Sequence, residues 1–197
     1  MIKRCFDFTV SLIGLLLLFP VFLIISLLIR FASGPTVFFR QIRVGKDGKT
    51  FSLIKFRTME FAPGVEKGEF EPGSNCRVTP VGRFIRKAKL DELPQLVNVL
   101  KGDMSIVGPR PEVLKWVAVY PERWVTVHRV RPGITDPASL VYRNEEEILA
   151  TAPEPEIVYR DVILPHKLTL YEKYVGSHSF FGDFGIIIKT FCSIIKS

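Results

Sequence analysis

The longest apolar stretch of the chain lies near its N-terminus. No charged residue occurs from Phe8 to Ile29, and Asp7 and Arg30 bracket the run. Its length matches the roughly 20 apolar residues that a straight helix needs to cross the hydrocarbon core of a bilayer. It is too long for the apolar part of a signal peptide, and no clear small-residue cleavage site follows it. The pattern therefore predicts a helix buried in a membrane.

Pro20 interrupts this predicted helix near its middle. Because proline has no amide hydrogen to donate to the carbonyl of Leu16, the helix should kink there. Basic residues flank the run on both sides: Lys3 and Arg4 precede it, and Arg30, Arg40 and Arg43 follow it. Charge bias therefore sets no orientation. Two geometries stay open from the residues alone, a kinked helix that spans the membrane and a re-entrant one that returns to the side it entered from.

Residues rich in Val, Phe, Ile and Thr predict a β-hairpin after the membrane segment. Its strands cover Thr36–Arg43 and Lys49–Thr58, and the glycine-containing turn Val44–Gly48 joins them. Lys55 and Arg57 are two residues apart on the second strand, so they share one face of it. They could bind an anion, or they could simply form a solvated strand face.

A surface loop rich in glycine, proline and acidic residues is predicted from Phe61 to Cys76. A helix should begin directly after it, with Thr79 as the N-cap and Pro80 at the first helical position. Three cations share one face of this helix by their spacing, namely Arg83, Arg86 and Lys87.

Two adjacent carboxylates, Asp91 and Glu92, follow this helix and precede Pro94. Proline is tolerated in the first turn of a helix but not in its interior. The chain should therefore break around Lys89–Asp91, and a new helix that contains Pro94 should run to Leu100. Asp91 could be an ordinary N-cap of that helix. The cations nearby are more numerous than a cap requires.

Prolines fix the backbone on both sides of Arg110 in the segment Gly108–Glu112. Pro111 suits the first position of a following helix, and an arginine held at a helix start is a suitable phosphate ligand. Arg131–Gly133 predicts a turn with proline at its second position and glycine at its third. Each segment is a weak signal by itself, since proline-arginine turns are common.

The C-terminal stretch Phe180–Ser197 has apolar residues at helical spacing: Phe184, Ile187, Ile188, Phe191 and Ile195. Lys189, Ser193 and Lys196 lie mostly to the other side. Such a helix can pack on a core or lie along a membrane surface. The lysines favour the membrane surface.

Composition narrows the classes of partner. The 197 residues suffice for one compact domain and perhaps one appended element. The formal charge of +7 favours phosphates, nucleic acid or an acidic membrane surface. Three scattered cysteines, without metal or disulfide spacing, indicate a reducing compartment. The sequence contains no phosphate-binding or dinucleotide-binding glycine pattern, zinc motif or serine-hydrolase elbow.

A membrane anchor, a carboxylate pair and several rigidly presented cations are what an enzyme needs to act on a diphosphate beside a membrane. Cations and a divalent metal would neutralise the phosphates, and one carboxylate could attack phosphorus. A membrane-tethered nucleic-acid-binding protein fits less well, because the basic residues cluster around the carboxylates rather than forming a stripe. A non-catalytic membrane scaffold, with the carboxylates as helix caps, is the other alternative.

Several segments resemble the bacterial sugar transferase family, the monotopic phosphoglycosyl transferases, in order and spacing. They are Lys55–Met59, Leu90–Gln95, Asn98–Ser105, Val107–Pro111 and Arg131–Thr135. With the proline-containing N-terminal helix, the resemblance covers nearly the whole chain and fits the family's minimal catalytic form. It implies an α+β fold, mostly helical with a β-hairpin. Residues 1–33 would form a re-entrant membrane helix, and residues 34–197 a cytoplasmic catalytic domain with interfacial amphipathic helices.

The resemblance also implies a two-step reaction. Asp91 would attack the β-phosphate of a UDP-sugar, release UMP and hold the phosphosugar covalently until undecaprenyl phosphate accepts it. Glu92 would hold Mg²⁺ or support Asp91. The implied substrate-binding residues are Lys55, Arg57, Arg86, Gln95, Arg110, Arg131 and, by a looser match, Asp161.

The implied location is the cytoplasmic face of the bacterial inner membrane. Membrane lipid is then a partner, nucleic acid is not, and a homo-oligomer stays open. One segment departs from the family pattern. After Thr135 many relatives read Gly-Leu-Ala-Gln, whereas this chain has Asp136–Ser139. Uridine and sugar contacts near that loop are therefore left open.

Overall fold

The computed structural model describes residues 2–60 and 78–195, so the predicted loop from Phe61 to Cys76 lies outside the described residues. The helices are α1 (Ile2–Leu17), α2 (Phe19–Ser33), α3 (Pro80–Lys87), α4 (Gln95–Lys101), α5 (Leu114–Val117), α6 (Pro121–Val127), α7 (Pro137–Val141), α8 (Glu145–Thr151), α9 (Pro155–Val158), α10 (Leu164–Ser177) and α11 (Phe180–Ile195). The strands are β1 (Phe38–Val44), β2 (Thr50–Phe56), β3 (Ser105–Val107) and β4 (Gly133–Thr135). The prediction of a mostly helical chain with a β-hairpin is confirmed.

The predicted kink near Pro20 is present. α1 and α2 meet at Leu18 with a bend of 62°, and Pro20 lies in the first turn of α2. Proline fits the first turn of a helix because no intrahelical acceptor awaits an amide there. Among the described residues, no unbroken helix has the length and apolarity of a membrane span, whereas the bent pair taken together does.

Polar side chains near the start of α1 bind the rest of the fold. Asp7 is buried and accepts a hydrogen bond from the hydroxyl of Ser105 at 2.8 Å. Arg4 donates to the carbonyls of Val99 at 2.5 Å and Leu100 at 2.8 Å, at the C-terminal end of α4. Arg4, which the sequence offered only as a flanking charge, thus caps a helix.

The second half of the bent pair packs against the same body as the first. Ile25 and Ile29 of α2 form a buried cluster with Phe56 of β2 and Ile85 of α3. Both ends of the pair therefore contact the part of the fold that follows them.

The predicted hairpin is confirmed, with slightly shorter strands. β1 and β2 pair antiparallel from Phe38 opposite Phe56 to Val44 opposite Thr50. Their turn contains Asp47 and Gly48, both with positive φ, at 57° and 72°. This backbone region favours glycine and tolerates aspartate, which explains the sequence of the turn.

α3 begins as predicted. The hydroxyl of Thr79 accepts a hydrogen bond from the amide of Gly82 at 2.9 Å, and Pro80 follows at the first helical position. Gly82 lies so close to Thr58 that an added Cβ would be 2.0 Å from its carbonyl oxygen. The helix start is therefore pressed against the end of the hairpin.

β3 and β4 form a short parallel pair that the sequence did not predict. The prediction that Gly133 is the third residue of a turn is wrong. Gly133 is the first residue of β4, and its φ is not positive. A Cβ on Gly133 would lie 2.1 Å from the amide nitrogen of Gly108. Glycine is needed here for the close approach of two backbones, not for a turn conformation.

The largest buried cluster joins the second half of the chain. Trp116, Trp124, Tyr159 and Tyr171 are its largest side chains, packed with aliphatic residues of α8 and α10. It supports the long helical run that leads through the π-helical turn Tyr159–Ile163 into α10. This cluster is the scaffold behind the site described next.

α11 is a helix, as predicted, and one of its faces is exposed. Phe181 is 85% exposed, and Phe184, Ile188 and Phe191 are exposed along the same face. Asp183 is buried instead and pairs with Lys3 and with the hydroxyl of Tyr174. The apolar stripe therefore does not serve as core against the described residues.

Candidate active site

Asp91 and Glu92 lie in a short 3-10 turn, Leu90–Glu92, between α3 and α4. The chain breaks at Lys89, which has a left-handed φ of 55°, in the region where the sequence predicted a break. α4 starts at Gln95, directly after Pro94, so the predicted inclusion of Pro94 in the helix is wrong by one residue. The reading of Asp91 as the N-cap of this helix is also wrong, because Pro94 occupies that position.

Glu92 is neutralised by two cations. The Arg110 guanidinium makes a two-point contact, with Nη2 2.5 Å from Oε1 and Nη1 3.3 Å from Oε2. Lys55 Nζ lies 2.8 Å from Oε1. Burial pushes the pKa of Glu92 up, but the charges and hydrogen bonds of Arg110 and Lys55 outweigh it and hold the pKa well below its usual value. Glu92 is therefore a fixed anion.

Asp91 is in a different environment although it is the next residue. Its exposed fraction is 9%, and Lys55 Nζ is 3.8 Å from Oδ2, beyond hydrogen-bond distance. Burial raises the pKa of Asp91; Lys55 opposes this, and the charge of Glu92 adds to it. The Asp91 carboxylate is consequently more basic than that of Glu92.

These environments push the pKa values of two neighbouring carboxylates apart, which is how acid, base and nucleophile roles are divided in enzymes. Glu92 holds Lys55 and Arg110 in place. Asp91 keeps oxygens that are not consumed by strong ion pairs. The arrangement suits a nucleophilic carboxylate beside a site for an anion, with Asp91 as the reacting group.

Arg110 is presented by an irregular segment between β3 and α5. The amide of Gly108 donates to Thr135 O at 3.0 Å, and the amide of Gly133 donates to Pro109 O at 3.0 Å. Pro111 does not start a helix as predicted, because α5 begins only at Leu114. The Arg110 side chain keeps 32% of its surface exposed, so it remains accessible to a ligand.

Three other predicted residues lie on or next to elements that border Asp91 and Glu92, the two carboxylates called the dyad from here on. Gln95 is the first residue of α4 and is 2% exposed, and its Nε2 has no hydrogen-bond partner among the described residues. Arg86 donates to the hydroxyl of Thr58 at 2.8 Å and lies 3.7 Å from Glu146. Arg57 is half-buried directly after β2. The site of direct contacts is thus smaller than the predicted set, and consists of Lys55, Asp91, Glu92 and Arg110.

Arg131 and Asp161 are not brought to the carboxylates by any contact that the structure describes. Arg131 Nε donates to the carbonyl of Gly102 at 2.9 Å and so caps the C-terminal end of α4. Asp161 forms an exposed ion pair with Arg160 at 2.7 Å. Their substrate contacts stay predictions, since these protein contacts do not test binding of a substrate. An arginine in a proline turn and an acid in a helical run do not reveal their partners from local sequence.

Asp136, where the chain departs from the family pattern, is fully buried. Its carboxylate accepts hydrogen bonds from the amides of Ala138 at 2.7 Å and Ser139 at 2.9 Å, which makes it the N-cap of α7. Its negative charge also acts on Arg110. The signal was available in the sequence, because Asp followed by Pro137 is a typical helix start.

The donor set of the dyad limits what metal it could hold. No group of three or more His, Cys, Asp or Glu side chains with suitable spacing occurs in residues 2–60 and 78–195. Two adjacent carboxylates are a set that Mg²⁺ uses when phosphate oxygens and waters complete its shell. The residues therefore fit Mg²⁺ only together with an anionic ligand.

Comparison with known proteins identifies the family of this chain. The family model described as bacterial sugar transferase matches residues 1–197. The chain is 38% identical over 196 residues to the uncharacterized sugar transferase EpsL of Bacillus subtilis (strain 168), covering 100% of this chain and 88% of that protein. It is 34% identical over 217 residues to the exopolysaccharide production protein ExoY of Rhizobium meliloti (strain 1021), covering 100% and 87%.

A longer relative matches this chain over part of its own length. The UDP-glucose:undecaprenyl-phosphate glucose-1-phosphate transferase of Escherichia coli (strain K12) is 40% identical over 153 residues. The match covers 76% of this chain and 33% of that protein. The match of the family model over the full length, together with these relatives, shows that the chain belongs to the bacterial sugar transferase family and is a transferase.

Proposed function

We propose that this transferase moves a sugar-1-phosphate from a UDP-sugar to undecaprenyl phosphate through a covalent intermediate on Asp91. In the first step an Asp91 oxygen bonds to the β-phosphorus, the bond from that phosphorus to the bridging oxygen breaks, and UMP leaves. In the second step a phosphate oxygen of undecaprenyl phosphate bonds to the same phosphorus and frees Asp91. The product is a polyprenyl diphosphate sugar, the first membrane-bound intermediate of a glycoconjugate.

The observation that carries the proposal is the division of labour within the dyad. A nucleophile must keep a basic oxygen, and Asp91 meets this condition because burial raises its pKa. The developing charge on the phosphates needs fixed cations, and Lys55 and Arg110 are oriented by Glu92 at 2.8 and 2.5 Å. A diphosphate placed against Lys55 and Arg110 would therefore lie beside Asp91.

The substrate classes rest on the relatives. The Escherichia coli relative is named for UDP-glucose and undecaprenyl phosphate. The two chains are identical at 40% of the 153 matched residues. Arg86, Arg57 and Gln95 are proposed to contact the donor from their positions around the dyad. Arg131 and Asp161 stay proposed substrate contacts, although each has a protein partner outside the dyad.

Glu92 would hold Mg²⁺, and the ion when bound would neutralise phosphate oxygens of the donor. Lys55 and Arg110 would neutralise the negative charge of the same phosphates. The proposed location is the cytoplasmic face of the inner membrane, which the family resemblance implies.

The bent pair α1–α2 is proposed to be re-entrant. The start of α1 is bonded to α4 through Arg4, and Ile29 near the end of α2 packs with Phe56 of the hairpin. A pair whose two ends contact one body favours a return to the same side of the membrane. The exposed stripe of Phe181, Phe184 and Phe191 on α11 is proposed to lie in the interface.

A direct test is the mass of the Asp91 peptide. Incubation with the correct UDP-sugar and Mg²⁺, without undecaprenyl phosphate, should add one phosphosugar to that peptide, because the first step needs no acceptor. Peptide mass spectrometry after an acid quench measures this. The adduct should disappear when undecaprenyl phosphate is added. An unmodified peptide in a sample that releases UMP would exclude the covalent route.

The rate of UMP release should fall on the acid side at a pH above the ordinary range for aspartate. Only the ionised carboxylate attacks, and its pKa in the folded protein is raised, so protonation begins at a higher pH. Glu92 stays ionised through the same range because its pKa is lowered. The profile of kcat/KM against pH measures this in the free enzyme. An acid limb with its midpoint at about 4 or lower would contradict the assignment.

Membrane topology is testable with single cysteines. In a background with Cys76→Ser and Cys192→Ser, the native Cys5 and, separately, Pro35→Cys with Cys5→Ser should react with an impermeant maleimide from the same side. Inverted membrane vesicles should label both, and right-side-out vesicles neither. Asp47→Cys in the exposed hairpin turn marks the cytoplasmic side. Labelling of positions 5 and 35 from opposite sides would show a spanning pair.

A further inference from the structure

A largely buried network of ion pairs and hydrogen bonds surrounds Glu112, two residues after Arg110. Its members are Arg43, Glu112, Glu145, Tyr159 and Lys167, which come from β1, the segment after Arg110, the start of α8, the π-helical turn and α10. We propose that Glu112, held by this network, is a positioning residue that fixes Arg110 in its two-point contact with Glu92. This inference rests on the proposed function, in which Arg110 binds the donor phosphates.

Glu112 is the centre of the network. It is 3% exposed. Its Oε1 accepts a hydrogen bond from the hydroxyl of Tyr159 at 2.5 Å, and Lys167 Nζ lies 3.7 Å from the same oxygen. Its Oε2 accepts from Arg43 Nη1 at 3.2 Å. Lys167 in turn donates to Glu145 at 3.0 Å, so Lys167 joins the two carboxylates of the network.

Residues of β1 hydrogen-bond to the backbone on the C-terminal side of Arg110. Arg43 Nη1 also donates to the carbonyl of Pro111 at 3.1 Å, and the amide of Val44 donates to the carbonyl of Glu112 at 2.9 Å. On the N-terminal side, Gly108 and Pro109 are bonded to β4. Arg110 is therefore the residue between two anchored backbone segments, and both of its neighbours are prolines.

This anchoring matters because the contact of Arg110 with Glu92 depends on the orientation of the guanidinium. A two-point contact between a guanidinium and a carboxylate requires both N–H groups to be aligned, and a small rotation of the backbone loses one of them. A buried charge network is an expensive way to gain stability alone, since well-packed apolar residues often serve as well. Hydrogen bonds and ion pairs have a preferred direction, so they can hold the segment that carries Arg110 in one orientation. Apolar packing has no such directional bonds and would not hold the segment in the same way.

A double-mutant cycle tests the inference. Glu112→Gln should slow UMP release about tenfold, and Arg110→Lys more, but adding Glu112→Gln to Arg110→Lys should slow it less than about twofold further. The decrease should lie mainly in kcat, because a displaced Arg110 stabilises the charge that develops on the phosphates in the transition state less well. Equal losses in both backgrounds would overturn the inference and leave Glu112 a residue of general stability.

A milder variant keeps the test decisive where Glu112→Gln does not fold. Tyr159→Phe removes one hydrogen bond to Glu112 and retains the aromatic packing against Trp116. It should show the same dependence on Arg110, with a smaller loss of about threefold. Glu172→Gln, which removes the partner of Arg123 elsewhere on the fold, is the matched control and should leave the rate unchanged.

The two hypotheses fail in different ways. A folded wild-type protein that releases no UMP from any UDP-sugar tested would overturn the proposed function. An active wild-type protein in which Tyr159→Phe and Glu112→Gln leave the rate unchanged, or change it equally with and without Arg110, would overturn only the positioning role.

Discussion

Asp91→Asn should lower UMP release by about 10⁴-fold or more. The substitution preserves the shape of the side chain but removes the basic oxygen that attacks phosphorus. Within residues 2–60 and 78–195, Asp91 has a single ion pair, the long one with Lys55 at 3.8 Å, so little folding energy depends on its charge. Release of UMP from the UDP-sugar, measured without an acceptor and at saturating donor, isolates the first step.

Asp47→Asn is the matched control for this substitution. Asp47 is exposed in the hairpin turn with a φ of 57°, a conformation that asparagine also adopts readily. It should retain full activity and melt at the same temperature as the wild-type protein. Asp91→Asn should keep its melting temperature as well. Residual UMP release within tenfold of wild type in a folded Asp91→Asn protein would exclude Asp91 as the nucleophile.

Arg110→Lys should lower UMP release by about 10²-fold. Lysine keeps the positive charge but cannot make the two-point contact that joins Arg110 to both oxygens of Glu92. Glu92 would then be held mainly by Lys55, and the cation that faces the phosphates would lose its fixed direction. The decrease should appear in kcat more than in KM, and steady-state kinetics over a range of donor concentrations separate the two.

Arg123→Lys provides the control for this change. Arg123 makes the same kind of two-point contact with Glu172, with both distances at 2.7 Å, on a part of the fold away from the dyad. Its replacement should leave kcat and KM unchanged. If Arg110→Lys behaved like Arg123→Lys, the two-point contact with Glu92 would have no role in the reaction.

Local signals in the sequence predicted much of the fold. The Thr79–Pro80 helix start, the hairpin with its glycine turn and the kink at Pro20 depend on a few neighbouring residues, and each is present in the structure. The predictions did not include the Asp136 cap, although aspartate before Pro137 is a local signal for a helix start. The parallel pair β3–β4 was missed because each strand has only three residues.

Local properties of the chain, namely the helix break, the prolines and the charges, are enough to predict a carboxylate pair at a helix break among cations. Which cations contact the pair depends on how distant segments pack. Lys55 and Arg110 reach Glu92 from distant parts of the chain, while Arg131 caps α4 and Asp161 pairs with its neighbour. The physical reason is that a charged side chain takes the partner that folding brings within about 4 Å, and local sequence does not contain that distance.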